Sequence, residues 1–282
     1  MREISCSDIT AKIRDMCIRA AYYLPDEMKK ALNDAAASET DPLGCRVLGD
    51  LLKNLDIAED EMIPICQDTG MAVFFITLGQ EVHIEGGSLT DAVNEGVRQG
   101  YIEGYLRKSV VEDPIERVNT KDNTPAVIHY DIVPGDCFKI TIAPKGFGSE
   151  NMSRVIMLKP ADGYEGVKQA VIDTIISAGA NACPPMAVGV GIGGDFEKCA
   201  LMAKHALASG GSTDSGNKPE YVERMEREIV DTVNRSGIGP AGLGGINTLL
   251  SVNIETYPTH IAGLPVAVNI CCHANRHITE EL

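Results

Sequence analysis

A thiol, an amide, a carboxylate and a hydroxyl stand on four successive residues, Cys66-Gln67-Asp68-Thr69, closed by Gly70. The apolar run Met62-Ile63-Pro64-Ile65 leads in and the strand-like segment 71–78 leads out, so the polar cluster sits where the backbone must turn. Alone it also reads as a turn carrying a small core thiol. A second stretch, residues 144–153, holds Gly146 and Gly148, whose backbone freedom brings amides close to a ligand, although an ordinary turn reads equally well. A third, Gly189, Gly191 and Gly194, matches G-x-G-x-x-G between a strand and a helix. Against it, Gly189 and Gly191 read as part of the strand. No second strand ends in an acid about 20 residues on, because Ser209–Asp214 reads as a loop. A dinucleotide-binding oxidoreductase therefore stands as an alternative.

The chain has nine cysteines, an odd number without scaffold regularity and without a C-x-x-C pair. That argues against a disulfide framework, a zinc ribbon or a thioredoxin-like motif. Cys6, Cys17, Cys45, Cys137 and Cys199 fall inside periodic segments. Cys66, Cys183 and Cys272 each lie at the end or edge of an apolar strand, beside a turn, and can converge at one sheet edge. Three thiolates without a fourth suit an iron–sulfur cube with one open iron better than tetrahedral structural zinc. Periodicity alone does not select these three from nine.

Composition bounds the rest. At 282 residues, 44% hydrophobic and 23% charged, the chain is an ordinary globular protein with room for a sizeable core. A net charge of −15 argues against nucleic acid and anionic membranes. It also means that an anionic substrate needs local cations. Trp is absent, no run is long enough for a membrane helix, and the first residues lack an apolar export segment, so a cytoplasmic location is expected.

The elements that must position these residues read as a mixed α/β (α+β) chain. A helical region over residues 1–60 packs on a mixed sheet with flanking helices, all within one domain over 1–282. Helical spacing runs from Ile9 to Glu39, broken at Leu24-Pro25, and again from Leu43 to Leu55. Ser88 caps a helix that extends to about Lys108. Residues 126–133 and 137–143 alternate around Pro134-Gly135-Asp136 and predict a β-hairpin. Further helices are expected over 166–178, 196–208 and 219–236, and strands over 187–194, 249–254 and 264–272.

Taken together, Ile65-Cys-Gln-Asp-Thr-Gly70, Leu106-Arg-Lys108, Gly146-Phe-Gly-Ser-Glu-Asn151, Asn181-Ala-Cys-Pro-Pro185, Gly191-Ile-Gly-Gly194, Pro258-Thr-His260 and Cys272-His-Ala-Asn-Arg276 make a pattern spanning nearly the whole chain. In this order the blocks resemble the α part of class I (iron–sulfur) fumarate hydratases and the related L(+)-tartrate dehydratases. The resemblance implies a 4Fe-4S cluster on Cys66, Cys183 and Cys272, the last preferred over Cys271 because His273-Ala-Asn-Arg276 follows it. It implies a substrate shell of Gln67, Asp68, Arg107, Gly148 and His260, with Asp68 and His260 as catalytic groups. Arg107 would pair with a carboxylate, and the Gly148 amide would hold a carboxylate oxygen.

The activity implied is reversible hydration of fumarate to L-malate, as in the tricarboxylic acid cycle, with the open iron as Lewis acid on the hydroxyl. L(+)-tartrate dehydration is the alternative. Single-chain members continue into a second domain, so a chain ending at Leu282 is expected to need a β subunit carrying that domain. A homodimer or an α2β2 heterotetramer is expected. A structural subunit with inert thiols is the reading furthest from these.

Overall fold

The computed structural model of the protein describes residues 2–209 and 218–282. Residues 210–214 of the expected 209–214 loop lie outside that range. In chain order the elements are β1 (Arg2–Ser5), α1 (Cys6–Tyr22), α2 (Asp26–Ser38), α3 (Pro42–Glu61), β2 (Met71–Gly79), β3 (Val82–Glu85), α4 (Leu89–Glu103), β4 (Val127–Val133) and β5 (Phe138–Lys145). There follow α5 (Phe147–Glu150), β6 (Arg154–Leu158), α6 (Gly163–Ala178), β7 (Met186–Gly193), α7 (Phe196–Ala208), α8 (Glu220–Asn234), β8 (Leu249–Tyr257), β9 (Leu264–Cys271) and β10 (Ile278–Glu281). The fold is mixed α/β, as the alternation of periods indicates.

Two compact units make up the chain, each assembled from separated segments. The first comprises residues 1–25, 55–147 and 276–282, and the second 26–54 and 148–275. The N-terminal helices are thus shared out, with α1 in the first unit and α2 in the second.

In the first unit a four-stranded sheet runs in the order β10-β5-β2-β4. The expected 126–143 hairpin is not formed. β4 and β5 are instead separated by β2, which pairs parallel with β4 and antiparallel with β5. Ala72, Val73, Phe74 and Ile76 make β2 the most apolar strand of this sheet, and all four are buried. A strand hydrophobic on both faces gains most from the central position. The link between β4 and β5 folds over the end of β2, where the Gly79, Gln80 and Glu81 amides donate to Cys137, Val133 and Gly135 carbonyls. Helices α1 and α4 cover the sheet, with Ile9, Ile13, Met16, Val93, Val97 and Tyr101 in the core beside Phe74, Phe138 and Ile140.

The second unit is a sheet in the order β6-β9-β7-β8 with helices on both faces. Strand period decides which helix goes where. Val188 and Val190 join Val268 and Ile270 in the cluster formed with α6 and α8. The alternate residues Gly189 and Gly191 meet α7, where an added Cβ would stand 2.1 Å from the Ala203 and Cys199 carbonyl oxygens respectively. These glycines let a helix lie against the sheet backbone, which accounts for their spacing without a nucleotide. Glu39, on the loop after α2, fixes the 237–247 loop of this unit by accepting from the backbone amides of Ile246 and Asn247 and from the Asn247 side chain.

Candidate active site

In the first unit, the 66–70 stretch crosses from α3 to β2 as an irregular turn in which the Asp68 and Thr69 side chains have fixed partners. Asp68 Oδ1 accepts from the Gly70 amide at 3.0 Å, and its Oδ2 accepts from the Phe147 amide at 2.9 Å. One carboxylate thereby ties the Cys66 turn to the glycine loop 146–148. Gly146 leaves room for this closure, since a Cβ there would sit a tight 3.1 Å from Asp68 Oδ2. Gly70 has φ 79°, and a Cβ on it would lie 2.7 Å from the Lys145 nitrogen. Cys66 is half-buried and Gln67 is exposed beside it.

Arg107 does not end a helix, because α4 stops at Glu103 and Tyr105 takes φ 51°. The chain beyond is extended and held against the turn. The Arg107 amide donates to Thr69 Oγ1 at 2.9 Å, and Thr69 Oγ1 donates to the Arg107 carbonyl at 3.3 Å. The fully buried Asn123 completes the brace. Its Oδ1 accepts from the Ser109 and Val110 amides, and its Nδ2 donates to the Gly70 carbonyl at 3.2 Å. The structure therefore brings Asp68, the Gly146–Phe147 backbone and the Arg107 segment together, with the Arg107 side chain exposed.

Beneath the turn are two buried polar groups that the periodicity presents only as core or leaves unmarked. The Tyr101 hydroxyl reaches the Thr69 and Gly70 carbonyls at 3.1 and 3.0 Å. Burial pushes this phenol far up from its ordinary range, so it stays a donor. Arg276 is 3% exposed and donates from Nη2 to the Asp68 carbonyl at 2.8 Å. Its Nε and Nη1 are buried without a hydrogen-bond partner among the described residues.

In the second unit, Cys183 and Cys272 come to one end of the sheet. Strands β7 and β9 are antiparallel with Ala187 opposite Cys271, so the residues before β7 and after β9 are neighbours. His273 Nδ1 lies 3.3 Å from the Cys183 carbonyl. Cys183 is exposed and left-handed at φ 53°, immediately before two prolines. Cys271 is only 3% exposed, while Cys272 is more open. His260 occupies the turn between β8 and β9. Its Nδ1 accepts from the Ala262 amide, and it lines a cavity of about 550 Å³ with Tyr164, Tyr221, Ile192 and Thr259. Gly148 is exposed on α5.

The nine cysteines sort by environment. Burial pushes the Cys17 and Cys199 thiols up, which makes them inert packing groups. Cys66, Cys183 and Cys272 are free of disulfides and reach the surface. Among the described residues no three His, Cys, Asp or Glu side chains gather as ligands of a metal ion. A cube differs from a single ion, since separate thiols bind separate irons. In the first unit Cys66 stands on a turn beside a buried guanidinium with two N–H groups unpartnered among the described residues, and in the second Cys183 and Cys272 share one sheet end; each is chemistry suited to such an anionic group.

The comparisons with known proteins supply the class, that of a hydro-lyase. The family described as Fumarate hydratase (Fumerase) matches residues 10–281, and the chain belongs to it. It is 37% identical over 281 residues to the putative L(+)-tartrate dehydratase subunit alpha of Methanocaldococcus jannaschii, covering 96% of this chain and 98% of that one. It is 34% identical to the L(+)-tartrate dehydratase subunit alpha of Escherichia coli O157:H7, and 32% to that of strain K12, each over 99% of this chain and 92% of the relative. No helix among the described residues is long and apolar enough to cross a membrane.

Proposed function

We propose that this chain is the α subunit of an iron–sulfur hydro-lyase that adds water reversibly across the double bond of fumarate to give L-malate. Cys66, Cys183 and Cys272 would hold a 4Fe-4S cluster, which when bound supplies an open iron as Lewis acid toward the hydroxyl. The observation that carries the reading is the register of β7 on β9, which sets Cys183 and Cys272 at one sheet end in a chain of this family.

The chain's own residues bind and orient. Arg107, on a segment fixed by Thr69 and Asn123, pairs with a substrate carboxylate and supplies the cation that a net charge of −15 lacks. The exposed Gly148 amide holds a second carboxylate oxygen, and Gln67 donates from the rim. Asp68, immobilised through both oxygens, positions the proton acceptor. The family resemblance gives His260 a hydrogen bond to the dicarboxylate or the hydroxyl, but its turn lies at the sheet end opposite Cys183 and Cys272, so the second unit does not by itself bring it to those thiols. Removing a proton α to a carboxylate builds negative charge, which fixed donors stabilise without reorganisation.

L(+)-tartrate dehydration is the second reading, favoured by the names of the relatives. Malate and tartrate differ by one hydroxyl, so the hydrogen-bonding groups that meet that position decide between them. Those relatives are named as α subunits, which supports a β-subunit partner. We place the enzyme in the cytoplasm, as a homodimer or an α2β2 heterotetramer.

Anaerobic reconstitution with iron and sulfide tests the core of this. The wild-type chain should carry about four irons, as a 4Fe-4S site requires. Cys66→Ser, Cys183→Ser and Cys272→Ser should lose them, while Cys199→Ser should keep them. A wild-type chain that stays iron-free refutes the proposal. With the β subunit added, turnover of fumarate against L(+)-tartrate decides between the two substrates, and turnover by the α chain alone would remove the need for a partner.

A further inference from the structure

Of the two buried polar groups beneath the Cys66 turn, Tyr101 has its hydroxyl partnered, whereas Arg276 keeps donors that no described residue uses. A guanidinium that is 3% exposed, with no ion pair and with Nε and Nη1 unpartnered among the described residues, is costly to bury. Its remaining donor, Nη2, bonds the Asp68 carbonyl, two residues from Cys66. Arg276 also follows Cys272 by four residues, so it is tied in sequence to one proposed ligand and in space to the turn of another. The Asp68 carboxylate makes no ion pair with Arg276, and both its oxygens point to backbone amides instead.

A buried cation of this kind persists where an anion completes it. Three thiolates with bridging sulfides carry net negative charge, and their retention and potential depend on nearby charge and hydrogen bonds. We propose that Arg276 is the internal counter-charge of the cluster site, a positioning residue whose guanidinium retains the anionic group that Cys66 helps to hold. The inference rests on the cluster reading above.

The distinguishing signature is opposite signs of effect on the two forms. Removing the charge should weaken the loaded protein and relieve the iron-free one. Wild type, Arg276→Gln and Arg276→Lys, each as the full chain reconstituted anaerobically, would be compared by iron release to EDTA and by melting of the iron-free form. Arg276→Gln should release iron at least about tenfold faster, as outer-sphere partners of metal sites typically do. Its iron-free form should melt at or above wild type. Arg276→Lys, which keeps the charge, should fall closer to wild type.

Equal release rates for wild type and Arg276→Gln overturn the inference and leave the cluster reading standing. So does an iron-free Arg276→Gln chain that fails to fold, because the side chain would then be a structural anchor. An Arg276→Lys chain as leaky as Arg276→Gln rules out a role for charge. If wild type takes up no iron, the cluster reading fails and this inference with it.

Discussion

Asn123 touches no reacting group, yet it decides where Arg107 stands. It is fully buried at φ 66°, a conformation that asparagine and glycine tolerate and most residues do not. Asn123→Gly keeps that backbone and removes three hydrogen bonds, leaving the Ser109 and Val110 amides without their acceptor. Unsatisfied buried groups cost about 1–3 kcal/mol each, so urea denaturation should show a loss of at least about 2 kcal/mol. KM for the dicarboxylate should rise with it. At this scale side-chain type makes part of the candidate site legible. Cys66, Asp68 and Arg107 advertise themselves by chemistry and by their motif. Asn123 and Thr69 do not, because their partners are 13 to 53 residues away and unknowable before the chain folds. Arg276 enters the sequence reading only as the last residue of a motif, and its isolation is a fact of burial.

Among the elements, β7 and α7 explain a pattern that resembles a nucleotide loop. Gly191→Ala would place a methyl 2.1 Å from the Cys199 carbonyl oxygen, so α7 must shift. Overpacking of this type costs about 1–3 kcal/mol, and thermal denaturation should register a lowered Tm. A dinucleotide role predicts something else, namely an unchanged Tm with lost nucleotide binding. Helical period was read well from sequence: α7 spans Phe196–Ala208 and Ser88 caps α4 as expected. Strand partnership was not. The turn residues at 134–136 favour a hairpin, but alternation says nothing about which strand lies alongside. The more apolar β2 took the place between β4 and β5. The end of α4 was overrun by five residues for a similar reason, since Leu106 is buried by a chain that has already left the helix.

At the scale of the whole molecule, acid stability has an identifiable contributor in Glu39. Burial pushes its carboxyl up, but hydrogen bonds from Asn247 and from the Asp41, Ile246 and Thr40 amides outweigh that and bring it down to about 2 from 4.5. A lowered folded pKa means that the stabilisation is complete above pH 4.5 and is lost as the pH falls toward 2. The loss should be roughly 3 kcal/mol. Glu39→Gln should start less stable at neutral pH and show a shallower decline over that window in denaturation curves taken from pH 6 to 2. A mixed α/β protein was legible in the sequence, but the two interleaved units were not, because segments joined over more than a hundred residues leave no local period. That interleaving has a consequence for synthesis. β5 is finished at Lys145, whereas the strand that closes its edge, β10, begins only at Ile278, after the second unit has been made. At about 5–20 residues per second, a nascent chain carries an open β5 edge for on the order of ten seconds. Over that interval the unfinished polypeptide is exposed to strand pairing with its neighbours on the same message.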